Sequence, residues 1–151
     1  IPTDCPWSCM NDGKTERSSE RKSRDMIFIT GGQAQGKTEF AYSFFQDKDI
    51  AAADGRCSGY GEALEAELIL HLECYVLRLM QEGTDPAVFA GELIEKNGGA
   101  VVVADEIGCG IVPADAFARE YREKDGRVCQ KIAAFSDEVY RVICGLGSRI
   151  K

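Results

Sequence analysis

The chain has 151 residues, room for one domain but not for a second core of useful size. Apolar residues make up 44% and charged residues 28%, a balance that excludes a disordered polymer and suits a folded globule. With 18 basic against 25 acidic side chains the net charge is −7, which argues against a nucleic-acid partner or an anionic-membrane binder; a local phosphate site stays open, because backbone N–H groups and one lysine suffice for it.

Residues 1–25 balance their charges: Lys14, Arg17, Arg21, Lys22 and Arg24 against Asp4, Asp12, Glu16, Glu20 and Asp25. The segment has few apolar residues (Ile1, Cys5, Trp7, Cys9, Met10) and no period, so it reads as a disordered extension or tail, and 26–151 reads as the single folded domain. No apolar run approaches a signal-peptide core or the roughly 20 residues of a membrane span, so a cytoplasmic protein with no membrane partner is expected. The seven cysteines include no C-x-x-C pair, and His71 is the sole histidine. A zinc site built on Cys5 and Cys9 is therefore weakly supported, and reduced, mostly buried thiols are expected.

Met26 to Thr30 (MIFIT) is a short apolar run stopped by Gly31-Gly32, as in a buried strand of a parallel sheet. Lys37 to Gln46 carries Phe40, Ala41, Phe44 and Phe45 at helical spacing, and Asp49 to Asp54 reads as a short strand. From Glu62 to Glu82, Leu64, Leu68, Leu72, Val76, Leu79 and Met80 recur every three to four residues, which favours one long amphipathic helix ending at Gly83; a strand over Leu68 to Leu72 is the rival reading. Another helix is punctuated by Thr84 or Asp85 as cap, Pro86 in its first turn and Gly98-Gly99 beyond its end. Ala100 to Ala104 is the clearest strand and runs into Asp105-Glu106. A glycine loop through Pro113 leads to a helix from about Asp115 to Phe135, with a break near Gly126 allowed, then a strand over Glu138 to Cys144 and a last short one over Ser148 to Lys151. Strands alternating with helices imply an α/β layered domain with a mostly parallel sheet.

Gly31-Gly32-Gln33-Ala34-Gln35-Gly36-Lys37-Thr38 matches G-x-x-x-x-G-K-[ST] between that first strand and helix. In such a loop the backbone N–H groups and the helix start face phosphates, Lys37 neutralises β/γ oxygens, and the Thr38 hydroxyl reaches Mg²⁺. A second acidic group is needed for the hydrated Mg²⁺, and Asp105 or Glu106 supplies it at a strand's C-terminal end. The motif alone leaves ATP and GTP equally open as the nucleotide.

The phosphate-loop block and the stretch from Asp105 to Lys151 resemble the bifunctional adenosylcobinamide kinase/adenosylcobinamide-phosphate guanylyltransferase family of cobalamin assembly and corrinoid salvage. The resemblance is carried by Gly31 to Thr38, by Glu106, Gly108 and Gly110 to Pro113, and by Arg119, Gly126-Arg127, Gln130 and Ala133. Gly145-Leu146-Gly147 and Ile150-Lys151 complete it. It implies a three-layer P-loop NTPase-like fold, a corrinoid substrate and assembly as a homo-oligomer. The implied activity is phosphorylation of adenosylcobinamide, with Lys37 and Glu106 as catalytic residues, followed by GMP transfer through a guanylylated histidine.

The chain departs from that family in a shortened middle region. His71 lies between Leu70 and Leu72 and reads as a packed or partner-bonded histidine rather than a nucleotidyl acceptor. Cys129 stands where the family usually has asparagine, and Asp105 where asparagine or serine is frequent. The family's acidic residue on a middle strand corresponds to either Asp54 or Glu73. A nucleotide-dependent kinase is the expected function. The alternative is a catalytically reduced nucleotide-binding protein with a regulatory or assembly role.

Overall fold

The computed structural model describes residues 25–46 and 49–151, so the expected tail falls almost wholly outside the described residues, as do Cys5 and Cys9. Among the described residues eleven elements follow one another: β1 (Ile27–Gly31), α1 (Lys37–Tyr42), β2 (Ala52–Asp54), α2 (Tyr60–Ala63), β3 (Leu68–Leu70), α3 (Leu72–Gln81), α4 (Pro86–Lys96), β4 (Val101–Asp105), α5 (Ala116–Phe135), β5 (Glu138–Ile143) and β6 (Leu146–Arg149). The strands form one sheet in the order β2-β3-β4-β1-β5-β6, parallel except for β6, which returns antiparallel on β5.

Each sheet face carries its own apolar cluster. On one face Phe28, Ile69 and Val102 meet Leu72, Val76, Phe89, Leu93, Val128 and Ile132 from α3, α4 and α5. On the other, Ile29, Leu68, Val101 and Val103 meet Ala41 of α1 and the partly buried Phe40, Phe44, Phe45 and Tyr140. This is a three-layer α/β/α sandwich. Tyr60, Tyr75 and Phe89 interlock at centroid distances of 5.5–5.9 Å under the first face, and Phe40, Phe44 and Tyr140 at 5.3–5.4 Å under the second.

The expected long helix over 62–82 is not formed. Its span is divided into α2, β3 and α3, so the rival strand reading holds for Leu68 to Leu70, while Leu72 already opens α3. Leu68, Ile69 and Leu70 are all buried because β3 lies between β2 and β4 and is covered on both faces. A helix would have exposed one of the three, and ladder pairing overrides the helical period. His71 then turns the chain into α3 with φ 55°, ψ 55°, a left-handed conformation rare for a residue with a Cβ.

Other bounds shift less. The helix α1 stops at Tyr42, where Ser43 Oγ donates to the carbonyl of Phe40, so Phe44 and Phe45 pack from the turn rather than from a helix running to Gln46. The helix α4 begins as expected, with Asp85 accepting from the N–H of Ala87 and Pro86 in the first turn. Gly126 does not interrupt α5. The expected buried thiols are not found among the described residues: Cys57, Cys109 and Cys144 are exposed, and Cys74 and Cys129 half-buried. Cys74, Cys109, Cys129 and Cys144 carry free thiols.

Candidate functional site

The strands β1 and β4 are neighbours, with Gly31 in register with Asp105. The chain leaves β1 toward the face holding α1 and leaves β4 toward the face holding α5, so the two connections diverge. That divergence opens a crevice at the C-terminal edge of the sheet, where open α/β sheets place their ligands. The segment Gly31–Thr38 and the pair Asp105–Glu106 both lie at its mouth.

The loop's shape depends on two glycines. Gly36, the N-cap of α1, has φ 84°, and a Cβ there would lie 3.1 Å from Gly145 Cα. Gly31 has φ 154°, and a Cβ would lie 2.4 Å from the carbonyl oxygen of Val142. Between them Ala34 is left-handed at φ 57°. The loop is braced from both sides. The N–H of Glu106 donates to Gly31 O at 2.9 Å, that of Gly145 to Gln35 O at 2.8 Å, and that of Cys144 to Gln35 Oε1 at 2.9 Å. Gln33 and Ala34 are exposed, Gly32 and Gln35 half-buried. With only six residues, α1 adds little dipole; the loop's N–H groups and Lys37 supply the positive potential.

Lys37 is 7% exposed. Its Nζ donates to Gly32 O at 2.7 Å and pairs with Asp105 Oδ1 at 2.6 Å. Of the two carboxylates at the C-terminal end of β4, Asp105 therefore faces the loop, whereas Glu106 pairs with Arg141 of β5 at 3.0 Å. Thr38 stands half-buried in the first turn of α1. Thr38 carries a hydroxyl and Asp105 a carboxylate, hard oxygen donors of the kind Mg²⁺ takes.

Behind Asp105 lies a buried acidic layer. Glu73, 5% exposed, accepts from the Asp105 N–H at 2.9 Å through Oε2 and bonds His71 Nδ1 at 3.1 Å through Oε1. Burial pushes the Glu73 carboxyl up, but the hydrogen bonds from His71 and the Asp105 N–H outweigh it and hold the group below the ordinary range. The bond to Glu73 raises His71 against the opposing effect of burial. Asp54 accepts bidentately from Arg56, Nε donating to Oδ1 at 3.0 Å and Nη2 to Oδ2 at 2.6 Å. Of the two candidates for a mid-sheet acid, Glu73 is thus the one bonded to the phosphate-loop side.

Asp125 of α5, 3% exposed, has no hydrogen-bond partner at Oδ1. Burial, with the charges of Glu73 and Asp105 adding to it, pushes its carboxyl up to about 7. Sequence reading passed over this residue, although Tyr121, Asp125, Val128 and Ile132 share the helical period of the α5 core face. It also missed Arg141 and the Cys144–Gly145 brace, which no motif signals.

The fold and loop together make this a P-loop NTPase-like α/β domain. Residues 79–150 match the family model described as Cobinamide kinase / cobinamide phosphate guanyltransferase, CobU. Over that span the chain is similar to that family. It is 49% identical over 51 residues to the bifunctional adenosylcobalamin biosynthesis protein CobU of Salmonella typhimurium and 47% identical over 51 residues to that of Escherichia coli. Each match spans 34% of this chain and 28% of the relative's length. Among solved structures, the P4 protein of bacteriophage phi6 in complex with ADP aligns at a TM-score of 0.41 and 16% identity, over 82% of this chain and 52% of that one.

Proposed function

We propose that the chain is a nucleotide-dependent kinase of corrinoid metabolism that phosphorylates adenosylcobinamide. The observation that carries this reading is the buried Lys37, held at the mouth of the crevice by Gly32 O and Asp105, in a chain whose second half matches the cobinamide kinase family. The site binds a nucleoside triphosphate, ATP or GTP, through the N–H groups of Gly31 to Thr38, with Lys37 reaching the β/γ oxygens. Thr38 and Asp105 would hold Mg²⁺, which when bound offsets charge on the β- and γ-phosphates.

Phosphoryl transfer is mostly positioning and charge stabilisation, and the chain's own residues supply both. Lys37 moves its positive charge from Asp105 onto the phosphate oxygens. Glu106, fixed by Arg141, orients the substrate hydroxyl and accepts its proton. The glycine loop that follows presents Ile111, 95% exposed, and Val112, 71% exposed, an apolar surface that suits the flank of a macrocycle. Guanylyl transfer has less support: His71 is bonded to Glu73 through Nδ1. Incubating the full chain with adenosylcobinamide, Mg²⁺ and either ATP or GTP, with mass spectrometry of the corrinoid, is expected to yield the phosphate ester. Lys37→Ala is expected to yield none. Nucleotide binding without turnover would favour the catalytically reduced, regulatory or assembly reading.

A further inference from the structure

A second group of chemically capable side chains lies just behind the phosphate-loop site, at the turn from β3 into α3. His71, Glu73 and Cys74 each offer one ligand atom, and these atoms all lie within 4.8 Å of one another. Glu73 Oε1 is 3.1 Å from His71 Nδ1 and 3.8 Å from Cys74 Sγ. Tetrahedral zinc with bonds of about 2.0–2.3 Å sets its ligand atoms roughly 3.3–3.8 Å apart, so two of the three edges are already near that size.

The backbone explains why three neighbouring residues converge. The left-handed turn at His71 folds the imidazole back over the first turn of α3, where Glu73 and Cys74 stand two and three positions on. Glu73 uses its other oxygen, Oε2, on the Asp105 N–H, which fixes the carboxylate and leaves Oε1 toward His71 and Cys74. The group stays reachable, because His71 is 26% exposed and Cys74 half-buried.

We propose that His71, Glu73 and Cys74 form a site for a divalent transition metal of the zinc class, with a fourth position open to water. An imidazole, a thiolate and a single carboxylate select zinc over magnesium or calcium, which prefer all-oxygen shells. In the bound form the metal replaces the protons on the ligating atoms: the Cys74 thiol proton and any proton on the ligating imidazole nitrogen go to solvent, while the other imidazole nitrogen keeps its N–H. Two anionic ligands offset the positive end of α3. The site does not depend on the phosphotransfer reading, since its three ligands include neither Lys37 nor any other residue of Gly31 to Thr38.

The test is a zinc titration of the full-length chain against a chromophoric chelator, with cobalt substitution to report thiolate ligation by its absorption. His71→Asn, which tolerates the left-handed turn, and Cys74→Ser are each expected to remove one equivalent or weaken it by at least about a hundredfold, and to abolish the cobalt–thiolate band. Cys109→Ser and Cys144→Ser are expected to leave that equivalent intact. Thermal unfolding provides the check on folding: zinc is expected to raise the melting temperature of the wild type and not of the first two variants. Unchanged zinc stoichiometry and cobalt absorption in folded His71→Asn and Cys74→Ser would overturn the proposal, as would a wild type that binds no zinc. Either failure leaves the kinase assay unaffected.

Discussion

Single residues set the electrostatics around the crevice. Lys37 and Asp105 neutralise each other at its mouth, while Glu73 and Asp125 sit behind them in the protein interior. The Asp125 carboxyl, raised from 3.8 to about 7, holds a proton in the folded state at pH values where the unfolded chain has released it. Its contribution to stability is therefore fully present at low pH and is lost as pH rises from about 4 through about 7. Asp125→Asn, which cannot ionise, is expected to be more stable than the wild type at pH 8 by on the order of 2–4 kcal/mol and to show little gain at pH 4. Thermal unfolding at the two pH values measures this, and an equal effect at both would contradict it. At this scale the sequence was legible where a motif exists. Gly31 to Thr38 and the pair Asp105-Glu106 stood out, and of that pair the structure brings Asp105 onto Lys37. Arg141 acts through Glu106, and Asp125 is shifted by burial and by the charge of Glu73, neighbourhoods that spacing does not encode.

The elements show where local pattern loses to tertiary pairing. The strand β4, the punctuated α4 and the long α5 were readable because period, caps and flanking glycines agreed. The span 62–82 was misread because Leu64, Leu68, Leu72 and Val76 keep a helical period by coincidence across three elements. The usable signal was the consecutive run Leu68-Ile69-Leu70, which fits a strand covered on both faces better than an amphipathic helix. What ties these short elements together is Asn97, 7% exposed at the C-cap of α4. Its Nδ2 donates to Ala63 O at 2.9 Å and Ala66 O at 2.7 Å, joining the end of α4 to the segment between α2 and β3. Asn97→Ala strands both carbonyls and is expected to cost about 2–3 kcal/mol, read as a lower denaturant midpoint with an unchanged slope. A loss below about 0.5 kcal/mol would mean the link carries no weight.

At the scale of the whole molecule, strand order decides where chemistry can happen. The connections leaving β1 and β4 cover opposite faces, so the crevice falls between Gly31 and Asp105, and the β5–β6 turn closes against Gln35 from the far side. The parallel α/β class was readable from alternation alone, whereas the strand order was not, because pairing partners depend on crossovers rather than on local pattern. The net charge of −7 is compatible with an anionic ligand because the local field comes from loop N–H groups and one buried lysine. The central claim is that this crevice binds a nucleoside triphosphate through Lys37. Calorimetric titration of the wild type and Lys37→Ala with Mg²⁺ and either ATP or GTP tests it most directly. One-site binding by the wild type, weakened at least about tenfold in the variant, corresponding to about 1.4 kcal/mol, is the predicted result; no binding by the wild type, or equal affinity in both proteins, would contradict it.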